Sequence, residues 1–355
     1  MRESHSGHEY LPLLGLPAFR KGSAELTFGR GAELLSQQRV ATIQTISGSG
    51  AIHVGAVFLK QFHNSEARVY VSAPSWPNHR VMFEHVGFTV EDYPYFDPVT
   101  KGVDFDGIVT TLERASPGDI VVLHACAHNP TGNDLTQAQW MTLGRILKDR
   151  KLFPVLDSAY QGFASGDLDA DAWSIRYLLS DLSLSGMVCQ SFSKSMGLYG
   201  ERVGALHVTT SVRDRPEISL NIESQLSWIS RKVISNAGRY GATIAATILG
   251  EPDLYEQWQR DLKTMAGRIY RMRRKVVHEL KRRGTPGNWR HIQTQIGMFS
   301  YTGISRRTVR RLRDNHIYMA DNGRASICGL NDYNVERFCK VLDEILREGA
   351  PEDEL

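Results

Sequence analysis

The chain has 355 residues, 41% hydrophobic and 23% charged, ordinary values for globular proteins and enough chain for two domains. Its net charge of +3, from 42 basic and 39 acidic side chains, gives no field that selects nucleic acid, and no run approaches the roughly 18 apolar residues that cross a bilayer. Cys126, Cys189, Cys328 and Cys339 form no CxxC pair, which argues against a zinc site or a disulfide framework and for buried thiols in a reducing compartment.

The first twenty residues lack the apolar core of a signal peptide and are too acidic for a transit peptide, so a cytoplasmic location is expected. From about residue 40 to 210, short apolar runs alternate with helical patterns. Arg68–Ala73, Ile120–Ala125, Leu152–Leu156, Met187–Ser191 and Val203–Val208 read as strands covered on both faces. Ala51–Gln61, Gln137–Lys148 and Trp173–Leu179 read as helices between them, and the alternation predicts an α/β fold with a mostly parallel sheet. Beyond residue 215 the pattern changes. Glu217–Leu249 and Leu254–Lys281 read as long helices broken near Gly250–Pro252. Ile292–Tyr301 and His316–Met319 look strand-like, Arg306–Asp314 and Asn334–Arg347 helical. This predicts a large α/β domain over 1–262 and a smaller α+β domain over 263–355, divided within a long helix. The basic runs Arg268–Arg283 and Arg306–Arg313 read as solvated helix faces, with a phosphate-backbone stripe as the alternative.

The candidate chemistry sits at the ends of the apparent strands. Ser47-Gly48-Ser49-Gly50 precedes the helix Ala51–Gln61, where hydroxyls and glycine amides make a phosphate site; it is equally a plain helix entry, and its spacing misses the dinucleotide fingerprint. Trp76, after Arg68–Ala73, is either a cover for a flat ring or a core tryptophan, and His79 is either support for a buried carboxylate or a surface histidine. Asn129, in His128-Asn129-Pro130-Thr131-Gly132, lies at a strand end in what also reads as a simple turn. Asp157, just after Leu152–Leu156, suits a pyridinium nitrogen or a helix N-cap, and Tyr160 follows three residues on. Lys194, in Ser191-Phe192-Ser193-Lys194, reads alone as a loop lysine; held out of water, its neutral amine could form a Schiff base with an aldehyde. Arg202, eight residues on, could grip the same phosphate, while Arg231 and Arg324 could pair with carboxylates. Each motif has a bland alternative. Their ordered conjunction points to one cofactor using all of them.

The strings HEYLPLLGL, QTISGSGA, SAPSWPNH, HACAHNPTG, LDSAYQGFASGDLD, SFSKSMGLYGERVG, TPGNWRHIQTQIGMFSYTG and GRASICGL, spread over residues 8–330, closely resemble the aspartate aminotransferases, class I pyridoxal-phosphate enzymes of fold type I. The resemblance implies a seven-stranded, mostly parallel sheet between helices, a small α+β C-terminal domain, pyridoxal 5'-phosphate as cofactor and a homodimer with shared active sites. It implies that Lys194 carries the cofactor, Asp157 pairs with its ring nitrogen with His79 behind, Tyr160 and Asn129 serve its ring oxygen, and Trp76 stacks on the ring. Ser47, Gly48, Ser49, Ser191 and Arg202 would hold the phosphate, with Tyr10 reaching the phosphate of the neighbouring subunit. Arg324 would bind the substrate α-carboxylate, Arg231 the distal carboxylate across the interface, and Phe299 would line the pocket. Reversible amino transfer from aspartate to 2-oxoglutarate with ping-pong kinetics is then expected. Rivals are an aromatic-amino-acid aminotransferase and a cofactor-binding protein of little activity. The latter is motivated by the first of two departures. Several tens of residues that usually precede HEYLP have no counterpart, putting dimer strength and closure in question, and Ser235–Tyr240 stands where Asn-Pro-Pro is usual.

Overall fold

The computed structural model describes residues 7–212, 214–215 and 217–348. The chain runs α1 (Pro17–Phe28), α2 (Glu33–Ser36), β1 (Val40–Ile46), α3 (Ser47–Phe62), β2 (Arg68–Ala73), α4 (Asn78–Val86), β3 (Thr89–Pro94) and α5 (Phe105–Leu112). It continues through β4 (Ile120–His124), α6 (Gln137–Asp149), β5 (Phe153–Ser158), α7 (Leu168–Asp171), α8 (Trp173–Arg176), β6 (Gly186–Ser191) and β7 (Val203–Thr209). Then follow α9 (Glu217–Val233), α10 (Arg239–Gly250), α11 (Pro252–Arg283), α12 (Arg290–Thr294), β8 (Phe299–Tyr301), α13 (Arg306–Asp314), β9 (Arg324–Ser326) and α14 (Val335–Arg347).

Seven strands form one sheet in the order β1-β7-β6-β5-β4-β2-β3, and β7 alone runs against its neighbours. The five strands read from the sequence are present to within a residue or two at each end. β1 and β3 carry too many polar side chains to announce themselves. β3 is an edge strand bearing Glu91 and Asp92, charges that suit a rim rather than a core. Helices cover both faces. One apolar core lies between the sheet and α5, α6 and α8, and another beneath α3, α4 and α9. The parallel order β5-β4-β2 places the carboxyl ends of these strands along one rim, where ligands of α/β sheets bind.

Several sequence expectations need correction after residue 215. The segment 217–249 is two helices: Ser235 takes φ +65°, and Asn236 turns aside to donate to the Leu11 carbonyl at 2.7 Å. Ile292–Tyr301 is not one strand, because α12 occupies its start and Gly297, at φ +76°, separates it from β8. His316–Met319 is not a strand. His316 takes φ +58°, and Ile317 N–H returns to the Leu312 carbonyl, closing α13. β8 pairs instead with β9. Trp173–Leu179 starts as α8 and widens into a π-turn over Tyr177–Asp181. α11 is continuous for 32 residues. Its earlier buried residues Trp258, Leu262, Ile269 and Met272 pack with α1 and α10, and its later ones Val276 and Leu280 pack with α13 and α14. Its basic run is not wholly solvated, since Arg273 is fully buried. All four cysteines are free, three of them buried and Cys328 half-buried. Among the described residues no helix is long and apolar enough to cross a membrane.

Candidate active site

β5 ends in Asp157 and Ser158. Asp157 is buried beside His124, its partner in register at the end of β4. Its Oδ2 accepts from His79 Nε2 at 2.9 Å. His79, the second residue of α4, has no exposed surface, and its Nδ1 lies 3.0 Å from Ser75 Oγ. That arrangement puts the ring proton on Nε2, facing the carboxylate, with the serine hydroxyl donating to Nδ1. Burial pushes the Asp157 carboxyl upward, but the His79 hydrogen bond, helped by the nearby Lys194 amine, more than offsets it, leaving the group below its ordinary range and ionised. Burial, followed by the neighbouring histidines, drives His124 well below the usual imidazole range, so it stays neutral. Trp76 stands edge-on to His79, ring centroids 5.2 Å apart.

Lys194 lies three residues past β6. Its Nζ sits 5.1 Å from the Tyr160 ring centroid. Burial lowers its pKa, Asp157 opposes that shift and Arg202 adds to it, a balance that favours an amine able to give up its proton. Trp258 of α11 fixes this turn by donating to the Ser195 carbonyl at 2.7 Å. The Tyr160 turn is fixed by Asp171, whose carboxylate collects the amides of Gly162, Ala164 and Ser165. Burial raises the Tyr160 hydroxyl, so it is a donor rather than a phenolate in this state.

Three hydroxyls meet at the start of α3. Ser47 Oγ lies 3.0 Å from Ser191 Oγ and 2.9 Å from Ser193 Oγ, and Arg202 Nη1 reaches Ser193 at 3.3 Å. Ser47 and Arg202 both hold left-handed backbone, φ +57° and +53°, and the Ser47 amide bonds the Arg202 carbonyl. Non-glycine residues adopt that conformation at a cost of about 1–2 kcal/mol, met here by the shared cradle. Gly48 lies against Ser191, and Ser49 is half-buried in the first turn of α3. Hydroxyls, helix amides and a guanidinium are the donor set a phosphate requires.

Arg324 opens β9. Its guanidinium lies 4.2 Å from the Phe299 ring centroid, and its Nη1 donates to Asn129 Oδ1 at 2.9 Å. Among the described residues no carboxylate pairs with it. A cation held by a neutral amide and a ring keeps its strongest bond for an incoming anion. Phe299 also meets Tyr160 edge to face, 6.4 Å between centroids.

Thirteen of the fifteen predicted site residues therefore fall in or beside one cluster. Two do not join it within this chain. Tyr10 is exposed near the N-terminus, and Arg231 is exposed on α9 with Nη1 on Ser235 Oγ at 2.6 Å. Sequence reading passed over Ser193, although it adjoins Lys194 in a turn of small residues. It also passed over Ser75 and His124, whose part appears only when β4 and β5 align.

The chain matches the family "Aminotransferase class I and II" over residues 1–342. It is 45% identical to the cytoplasmic aspartate aminotransferase of Schizosaccharomyces pombe, covering 96% of this chain and 83% of that protein. It superimposes on the Saccharomyces cerevisiae cytoplasmic aspartate aminotransferase with a TM-score of 0.95 at 43% identity, covering 98% of this chain and 85% of that one. An aromatic-amino-acid aminotransferase from Burkholderia pseudomallei, covalently bound to pyridoxal phosphate, gives 0.93 at 41% identity, covering 96% and 84%. With sheet order, rim cluster and near full-length similarity in agreement, the chain belongs to the class I and II aminotransferases.

Proposed function

We propose that this chain is an aspartate aminotransferase using pyridoxal 5'-phosphate, which passes the amino group of L-aspartate reversibly to 2-oxoglutarate, giving oxaloacetate and L-glutamate. The observation carrying this reading is the half-buried Lys194 amine beside the buried, ionised Asp157, with the uncompensated Arg324 in the same cluster. When bound, the cofactor supplies an aldehyde carbon for the amino group and a ring that takes up the electron pair left by a departing proton.

The residues divide the work by position. Ser47, Gly48, Ser49, Ser191, Ser193 and Arg202 bind the phosphate. Asp157 keeps the ring nitrogen protonated, and His79 keeps Asp157 aimed. Trp76 covers the ring face, while Tyr160 donates to the ring oxygen with Asn129 alongside. Arg324 would seat the substrate α-carboxylate, Phe299 would wall that seat, and Lys194 Nζ would take up and return the substrate proton. We infer a homodimer in which Tyr10 and Arg231 act across the interface, Arg231 on the distal carboxylate. The exposed apolar side chains Ile218, Leu220, Trp228 and Val233 of α9 and neighbouring Tyr240 support this. Light scattering is expected to give about twice the 39.9 kDa chain mass; a monomer that remains active would remove the roles of Tyr10 and Arg231. We also propose a division into two domains within α11, near residue 263, and a cytoplasmic location like that named for the yeast relatives. Fractionation of the source cells checks the location, and limited proteolysis checks the division.

Lys194→Ala is expected to abolish oxaloacetate production in a coupled assay and to remove the visible–near-ultraviolet band of the lysine-linked cofactor. A variant that kept both would end this assignment. The similarity to aromatic-amino-acid aminotransferases favours one alternative, and higher kcat/KM for phenylalanine than for aspartate would establish it.

A further inference from the structure

We propose that Arg273, buried in the middle of α11, is a positioning residue for the substrate-carboxylate seat, acting through the 296–299 backbone that carries Phe299 beneath Arg324. The proposal rests on the reading of Arg324 given above.

Arg273 is 1% exposed, and among the described residues no carboxylate pairs with it. Burial lowers its pKa to about 10, so it remains charged at neutral pH. Its Nη1 donates to the Ile292 carbonyl at 3.0 Å. Its Nη2 reaches the carbonyls of Ile296, Gly297 and Phe299 at 3.3, 2.8 and 2.5 Å. Its Nε has no partner. Removing a cation from water without a counter-ion is unfavourable by several kcal/mol, and an apolar side chain of similar volume would serve packing better. What an arginine does here, and a methionine cannot, is gather the carbonyls of a segment that is neither helix nor strand before Phe299.

That segment governs both supports of Arg324. Phe299 lies under its guanidinium directly. Asn129, at its edge, belongs to the turn 127–132, which closes against the same backbone. Ile296 N–H donates to the Gly132 carbonyl at 2.7 Å. A Cβ on Gly132 would come within 2.8 Å of the Phe299 carbonyl oxygen, and one on Gly297 within 2.5 Å of the Ala127 Cβ. Contact this close passes a shift of 296–299 to Asn129 as well as to Phe299. The same helix braces the Lys194 turn through Trp258, so α11 holds the lysine and the carboxylate seat at a fixed separation.

The test uses holoenzyme carrying Arg273→Met or Arg273→Lys, with Arg324→Lys as reference. Succinate, an unreactive dicarboxylate, is titrated by calorimetry beside steady-state kinetics and thermal melts. Expected for Arg273→Met is a rise of roughly tenfold in KM for aspartate and in the succinate Kd, with kcat within about threefold and the cofactor absorbance band unchanged; Arg273→Lys falls between it and wild type. A purely structural arginine would lower the melting temperature and leave the ligand constants alone. Wild-type succinate affinity and KM in folded Arg273→Met, or in Arg273→Lys if the methionine variant does not fold, overturns the proposal. If Arg324→Lys weakens succinate while the Arg273 variants do not, the proposal fails and the reading of Arg324 stands; if Arg324→Lys changes nothing, both fail.

Discussion

Asp157 is kept charged inside the protein because His79 donates to it and Lys194 lies nearby, against the burial that favours its neutral form. The two supports should therefore rank differently when removed. Asp157→Ala takes away the charge itself and is expected to lower kcat/KM by at least about 10². His79→Asn leaves the carboxylate and loosens its aim, for a loss of about tenfold. The oxaloacetate-coupled assay measures both, and a larger loss for the histidine variant would reverse the order of roles. At this scale no residue was decisive by itself in the sequence: Lys194 alone reads as a loop lysine, and only the ordered conjunction of strand-end motifs pointed to one site. The sequence was unreadable for Arg273, which looks like any other member of a basic run, because burial of one helical position depends on what packs against it.

Among the elements, β7 and α3 meet at the three-serine cradle through Gly204. A Cβ there would lie 2.5 Å from the Gln190 carbonyl oxygen and 2.5 Å from the Ser47 carbonyl carbon, backbone atoms that cannot yield as a side chain can. Gly204→Ala should destabilise the protein by about 1–3 kcal/mol and weaken cofactor binding. Gly267→Ala, in open space on α11, should stabilise by up to about 1 kcal/mol through helix propensity. Thermal melts with cofactor titration check the pair, and equal responses would show that the close approach at Gly204 is tolerated. Five of the seven strands were legible because apolar runs buried on two faces repeat strongly, whereas of the helices before residue 210 only α3, α6 and α8 were read. The strand expected at His316–Met319 failed because Ile317 and Met319 are apolar for packing onto a helical layer, in a segment whose backbone is the cap of α13.

For the molecule as a whole, buried neutral histidines set the acid side of stability. His207 is pushed down to about 3 and His291 to about 4, chiefly by burial, and His124 and His128 also lie well below the ordinary range. Below the unfolded value near 6.5 the unfolded chain binds these protons and the folded chain does not, so stability falls as pH falls, by up to roughly 1.4 kcal/mol per unit for each such histidine. Asp171, raised to about 6 by burial, and Asp134, also raised, act in the opposite sense as pH falls through their folded values, Asp171 within the same window, but they are fewer than the four histidines. The melting temperature should therefore drop between pH 7 and pH 5; a flat profile would mean that these rings are already protonated or reachable by water.

The sequence by itself determined the α/β class, the layered order of the large unit and the residue types that converge on the rim. Each is a local consequence of periodicity or of an unusual side chain at a strand end. Only the tertiary structure decided which of those residues meet. The alignment of His124 with Asp157, the three-serine cradle, the seating of Arg324 on Phe299 and Asn129 and the burial of Arg273 all join positions many residues apart. Their distances are fixed by packing between elements, which no local pattern encodes.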